Sequence, residues 1–130
     1  MRYTTIAVAT AAYCLASLLH FAHNAAFLDA YPNLPSSITV MSIWSVWLAI
    51  TSIGVAGWLL VRANRISPGL IVIGVYACFG FDGLAHYSVA SMSSHTWGMN
   101  ATISLESLTA GVLICLVASN VVSVRRTRGA

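Results

Sequence analysis

Residues 38–61 read ITVMSIWSVWLAITSIGVAGWLLV, twenty-four positions without a charge or a histidine. A helix of that length, rising 1.5 Å per residue, crosses a hydrocarbon core of about 30 Å. Lipid offers no hydrogen-bond partner, so such a stretch has to satisfy its own backbone as a helix.

Working outward, three further apolar runs of similar length occupy residues 5–28, 69–91 and 100–124. The whole chain of 130 residues is 58% hydrophobic and 7% charged, with a mean hydropathy of +0.84. Ordinary soluble domains carry roughly 25% charged residues, so this chain cannot build a water-facing shell. The connectors DAYPNLPSS, RANRISPG and SMSSHTWG are short and rich in turn residues, which forces neighbouring helices to run antiparallel. The expected fold is all-α: an integral membrane four-helix up-down bundle in one domain, residues 1–130. A cleaved leader is not expected at the start. The first apolar run is too long and ends in histidines and a proline turn, and Tyr13 stands where a lipoprotein cleavage site before Cys14 needs a small residue.

Charge sets the expected orientation. The basic residues are Arg2, Arg62, Arg65, Arg125, Arg126 and Arg128, confined to the N-terminal end, the second connector and the C-terminal end. In an up-down chain these lie on one side, which the positive-inside rule makes the cytoplasm. Both termini are then inside, and the first and third connectors face the periplasm or exterior. The general likeness is to small bacterial inner-membrane proteins. A net charge of +3 follows from this topology and does not call for nucleic acid. The bilayer is the evident partner, and a homo-oligomer or a larger membrane complex is compatible with so small a bundle.

Against that background the stretch HFAHN, His20 to Asn24, needs a reason. His20 and His23 lie about 12 and 7 Å below the outer end of the first helix, and Asp82 and His86 about 13 and 7 Å below that of the third. Glu106 lies about 9 Å down the fourth helix. His95 falls in the third connector, and Asp29 at the end of the first helix. All histidines and acids thus collect on the side away from the arginines. His20, His23 and Asn24 share one helical stripe that Tyr13 continues inward. Asp82 and His86, with Cys78, share a second, and Thr102, Glu106 and Thr109 a third. Ionisable groups inside a membrane are costly and mark function, so one buried polar site between helices 1, 3 and 4 is expected. Helix 2, with Ser42, Ser45, Thr51, Ser52, Gly54 and Gly57, reads as close-packing scaffold, and Trp44 and Trp58 as interfacial anchors.

Imidazoles with carboxylates suit copper, zinc or iron. The expected ligands are His20, His23 and His86, with Asp82, Glu106 and Asn24 as further ligands or orienting groups. Met92, His95 and Met99 in the third connector add a weaker, copper-leaning set. Such a centre would serve metal handling or redox chemistry. Haem b, held by His86 with His20 or His23, fits less well beside the acids, and no C-x-x-C-H attachment sequence is present. A second reading is a metal-free membrane enzyme or carrier. There Asp82 or Glu106 is the acid, a histidine the base, and the ligand an apolar lipid or isoprenoid. A third is an accessory subunit whose polar stripes only fix helix packing. Cys14, Cys78 and Cys115 read as small apolar residues. The sequon at Asn100 abuts the membrane and is expected to go unused.

Overall fold

In the computed structural model, which describes residues 3–128, the chain forms helices joined by short turns, with no strand among the described residues. The helices are α1 (Tyr3–Ala26), α2 (Val40–Arg62), α3 (Ile66–Cys78), α4 (His86–Val89) and α5 (Trp97–Arg128). Turns of 3-10 helix lie at Leu28–Ala30 and Met92–Ser94, and a longer 3-10 segment, Phe79–Ala85, joins α3 to α4. Four stretches, Thr4–Ala26, Val40–Arg62, Ile66–Val89 and Trp97–Ser123, are long and apolar enough to cross a membrane. This is a membrane protein built as a helical bundle. Of the residues used to orient it, Arg2 lies outside the described residues, as do the side chains of Arg125, Arg126 and Arg128.

α1 packs on α5 and on α2, while α3 packs on α2 and α5. Their shared core holds Tyr13, Leu70, Ile73, Tyr76 and Leu113. Val8, Leu15, Leu48, Leu59 and Leu108 point outward, as a lipid-facing surface requires, because tails are as apolar as leucine.

Helix boundaries in α2, α3 and α5 differ from the sequence expectation for local reasons. α2 starts at Val40 because Thr39 and Ser42 form a reciprocal capping box. It ends in a Schellman turn, with Asn64 at φ 61° and the Arg65 N–H on the Leu60 carbonyl at 2.9 Å. α3 starts at Ile66, three residues before the expected 69. Pro68 falls in the first turn, where a missing N–H costs nothing. Gly69 is therefore a packing residue: a Cβ there would lie 2.6 Å from Val61 Cγ2. α5 begins at Trp97, capped by Thr96 Oγ1, which accepts the Met99 N–H at 3.3 Å.

The third span departs most from expectation. Seven residues of 3-10 helix exceed the usual three or four. The segment reads FGFDGLA, and its two glycines let it press between neighbours. A Cβ on Gly80 would sit 2.4 Å from Ala110 Cβ and 2.6 Å from Tyr13 Cε2. Side chains take up carbonyls at the change of helix type. The Tyr13 hydroxyl donates to the Tyr76 carbonyl at 3.3 Å, and the Ser107 hydroxyl to the Gly80 carbonyl at 3.1 Å. Within lipid such replacement is what makes an irregular segment tolerable.

Gly80→Ala should therefore destabilise the bundle by about 1–3 kcal/mol through overpacking. Gly74→Ala, whose added Cβ meets only Val117 Cγ1 at 3.3 Å, should melt within a few degrees of the parent. Thermal unfolding in detergent checks the pair, and equal melting temperatures would contradict this account of the third span.

Candidate functional site

The polar centre starts from α1. His20 is 2% exposed and Glu106, from α5, is 1% exposed. His20 Nδ1 lies 3.4 Å from Thr102 Oγ1, whose hydroxyl donates to the Met99 carbonyl at 3.0 Å. That hydroxyl is thereby committed as an acceptor toward the ring, which puts the imidazole proton on Nδ1 and leaves Nε2 as a lone pair. Nε2 faces the Asn24 amide nitrogen at 3.2 Å and Glu106 Oε2 at 3.7 Å. The second distance is within ion-pair range but too long for a hydrogen bond, and Glu106 Oε2 has no hydrogen-bond partner.

Asn24 extends the centre to the third span. Its Nδ2 also lies 3.5 Å from His86 Nε2, so one amide faces two imidazoles from different helices. Its Oδ1 is buried without a partner. Gly83 makes room for this meeting: a Cβ there would lie 3.3 Å from both Glu106 Oε2 and His20 Nε2.

Around this pair the remaining histidines ring Tyr31. The Tyr31 hydroxyl lies 2.9 Å from His23 Nδ1. Its ring centroid is 4.9 Å from that of His86 and 6.3 Å from that of His95. His95 is 6% exposed, and its Nδ1 donates to the Ser91 carbonyl at 2.9 Å. The connector carrying Tyr31 is tied down by Asn33, whose Nδ2 donates to the Val89 carbonyl at 3.0 Å.

Asp82 stands apart from the centre. It is exposed, and among the described residues it has no hydrogen bond or ion pair. The expected shared stripe with His86 assumed 100° per residue, which leaves two residues four apart about 40° from each other. At three residues per turn the same pair is about 120° apart, so the 3-10 segment turns Asp82 away while His86 stays inward. Cys78 is likewise exposed. Thr109 bonds within its own helix, to the Leu105 and Glu106 carbonyls, and not across to a neighbour. Met92 is 55% exposed, whereas Met99 is buried with its sulfur accepting the Thr96 N–H at 3.4 Å. Asp29 is exposed in the turn after α1 and makes no side-chain cap.

Sequence reasoning missed Tyr31 and Ser17. Tyr31 sits in a connector, where an aromatic carries no helical period, although burying a tyrosine between two prolines and a histidine helix was a usable hint. Ser17, 1% exposed beside the Glu106 carboxyl, falls one turn inward of the HFAHN stripe. His95, in the third connector, is buried and is part of the ring around Tyr31.

Among the described residues no three His, Cys, Asp or Glu side chains are arranged so as to hold a metal ion. The fold and centre thus define a small helical membrane protein with a polar cluster in which Asn24 is hydrogen-bonded to His20 and His86 and the Glu106 carboxyl stands beside His20. No protein-family model, curated protein or solved structure matches the chain.

Burial pushes the Tyr31 hydroxyl up from 10.0 to about 12. A raised phenol stabilises the fold below its unfolded value and loses that contribution as pH rises through the folded one. Thermal stability should therefore fall more steeply between pH 10.0 and about 12 in the parent than in Tyr31→Phe. Parallel curves for the two would contradict the burial of this hydroxyl.

Proposed function

We propose that this protein is a metal-free, proton-handling membrane protein, an enzyme or carrier in which His20 and Glu106 form the acid–base pair for a membrane-soluble ligand. One observation carries the reading: the fully buried Glu106 oxygen has no hydrogen-bond partner, yet it lies 3.7 Å from the His20 Nε2 lone pair. A carboxyl and an imidazole so placed hold one exchangeable proton between them, either as a neutral pair or as an ion pair. Thr102 fixes the imidazole tautomer from behind, as an orienting partner does for a catalytic base. Asp82, off the centre, is not needed as the acid. The arginine distribution supports an up-down arrangement in a bacterial inner membrane, with both termini in the cytoplasm and the cluster toward the periplasm.

A transition-metal centre is the second reading. It is favoured by the two imidazole nitrogens, from different helices, that meet at one amide group. An ion taking the place of the Asn24 nitrogen would meet His20 and His86. Rotation of the amide would offer it Oδ1, and a shift of Glu106 would bring in a carboxylate. His23 and His95 are engaged elsewhere, through Tyr31 and the Ser91 carbonyl.

Isotope-edited infrared spectra of the protein in liposomes test the first reading. The Glu106 carboxyl band, identified by its loss in Glu106→Gln, should move in His20→Gln. A band indifferent to His20 would overturn the acid–base pairing. Elemental analysis of the same preparations tests the second reading: one copper, zinc or iron per chain, lost in His20→Ala and His86→Ala, would replace the first reading with a metal centre.

A further inference from the structure

Asp82, left outside the centre, stands on a groove of its own. The groove, about 310 Å³, lies between the first connector and the end of the third span. Leu34, Pro35, Ile38 and Val89 make its walls largely apolar. In the 3-10 segment residues three apart eclipse one another, so Asp82 shares its face with the small Ala85, and both line the groove. Asp82 is exposed, which leaves its carboxyl open to a molecule lying there.

Nothing among the described residues answers this acid, which has neither a hydrogen bond nor an ion pair there. The neighbouring donors are committed. The Ser88 hydroxyl donates to the Ala85 carbonyl at 2.6 Å. His86 Nε2 faces the Asn24 amide nitrogen at 3.5 Å, which suits an uncharged ring. Arg62 ends α2 and Arg65 precedes α3, about 25 Å of helix away from Asp82. A second copy inserted the same way brings those arginines to the same distant level. Asp82 itself lies about 13 Å below the outer end of its span, beside the exposed Phe81 and Leu84, where an unpaired acid is costly. The counter-charge therefore falls to a ligand.

We infer that this groove binds a compact lipophilic amine, whose ammonium N–H groups donate to the Asp82 carboxylate and whose apolar body lies against Leu34, Ile38 and Val89. The inference goes beyond the acid–base reading and draws on neither His20 nor Glu106. A neutral amine arriving through the lipid takes the proton of the Asp82 carboxylic acid and stays as the ammonium. One N–H bond forms as one O–H bond breaks, and no net charge enters the membrane. Hydrogen bonds between ionised partners are the strong kind, which favours the amine over a neutral donor. A phospholipid amine does not suit the site, because its phosphate holds the nitrogen at the surface while Asp82 lies at tail depth.

The test uses the full chain in phosphatidylcholine liposomes with a diazirine-bearing benzylamine, and maps the crosslinks by mass spectrometry. Labelling should concentrate on residues 34–38 and 85–89, and unlabelled benzylamine should compete roughly tenfold better than benzyl alcohol, which carries no charge. Asp82→Asn, at an exposed position without a bond to lose, should melt with the parent and abolish that preference. Ala85→Trp, which fills the groove from an exposed position, should cut labelling severalfold. Labels spread evenly over the outward faces at Leu48 and Leu108 and unchanged by Ala85→Trp would overturn the site. Equal competition by amine and alcohol, or a preference that survives in Asp82→Asn, would overturn the amine as its ligand. Displacement by phosphatidylethanolamine, or by a polyleucine helix carrying one lysine, where benzylamine fails would assign the carboxyl to a headgroup or a partner span and overturn the small ligand.

Discussion

A run of 3-10 helix inside a membrane span survives only where neighbouring helices accept the disturbance, and Phe79–Ala85 depends on that constraint. Tyr13 from α1 and Ser107 from α5 reach carbonyls at its inner end, and Gly80 lets both helices approach. The tightened turn then controls which side chains of the third span face inward. His86 enters the centre, Gly83 opens the space between His20 and Glu106, and Asp82 swings out.

The centre itself is a compromise between solvation and burial. An acid at membrane depth costs about 3 kcal/mol on insertion scales, and ordinary interhelical hydrogen bonds return only about 0.6 kcal/mol each. His20 is well provided, with Thr102 on one nitrogen and Asn24 on the other. Glu106 and Asn24 each keep one oxygen unpartnered. Bundles that use polar groups purely as glue satisfy them in pairs. Two orphan acceptors beside one lone-pair nitrogen is an arrangement that awaits a proton or a donor.

Much of the architecture was legible in the chain. Four apolar runs and short polar connectors are one-dimensional signals, because length and hydropathy need no knowledge of neighbours. The stripe of His20, Asn24 and Tyr13 on α1 was readable for the same reason: an uninterrupted α-helix keeps its period. Thr102 and Glu106 on α5 followed equally well. The expectation failed where helical period failed. Asp82 was placed by α-helical arithmetic on a segment that winds at three residues per turn, while Cys78, the last residue of α3, is exposed and His86, the first of α4, lies at the centre.

By itself, then, the sequence determined that the protein lives in a membrane, that its helices are four spans, and that its polar residues gather at one level, since burying apolar surface and hiding backbone from lipid leave little choice. Only the tertiary structure decided which of those residues meet. Tyr31 comes from a connector whose course is set by Asn33 bonding to Val89 far along the chain, and His95 from one held locally by the Ser91 carbonyl. Asp82 is excluded by a turn tightened against α1 and α5. Facing across helices depends on winding and on close glycine contacts, and neither is written in the spacing of residues along one strand of sequence.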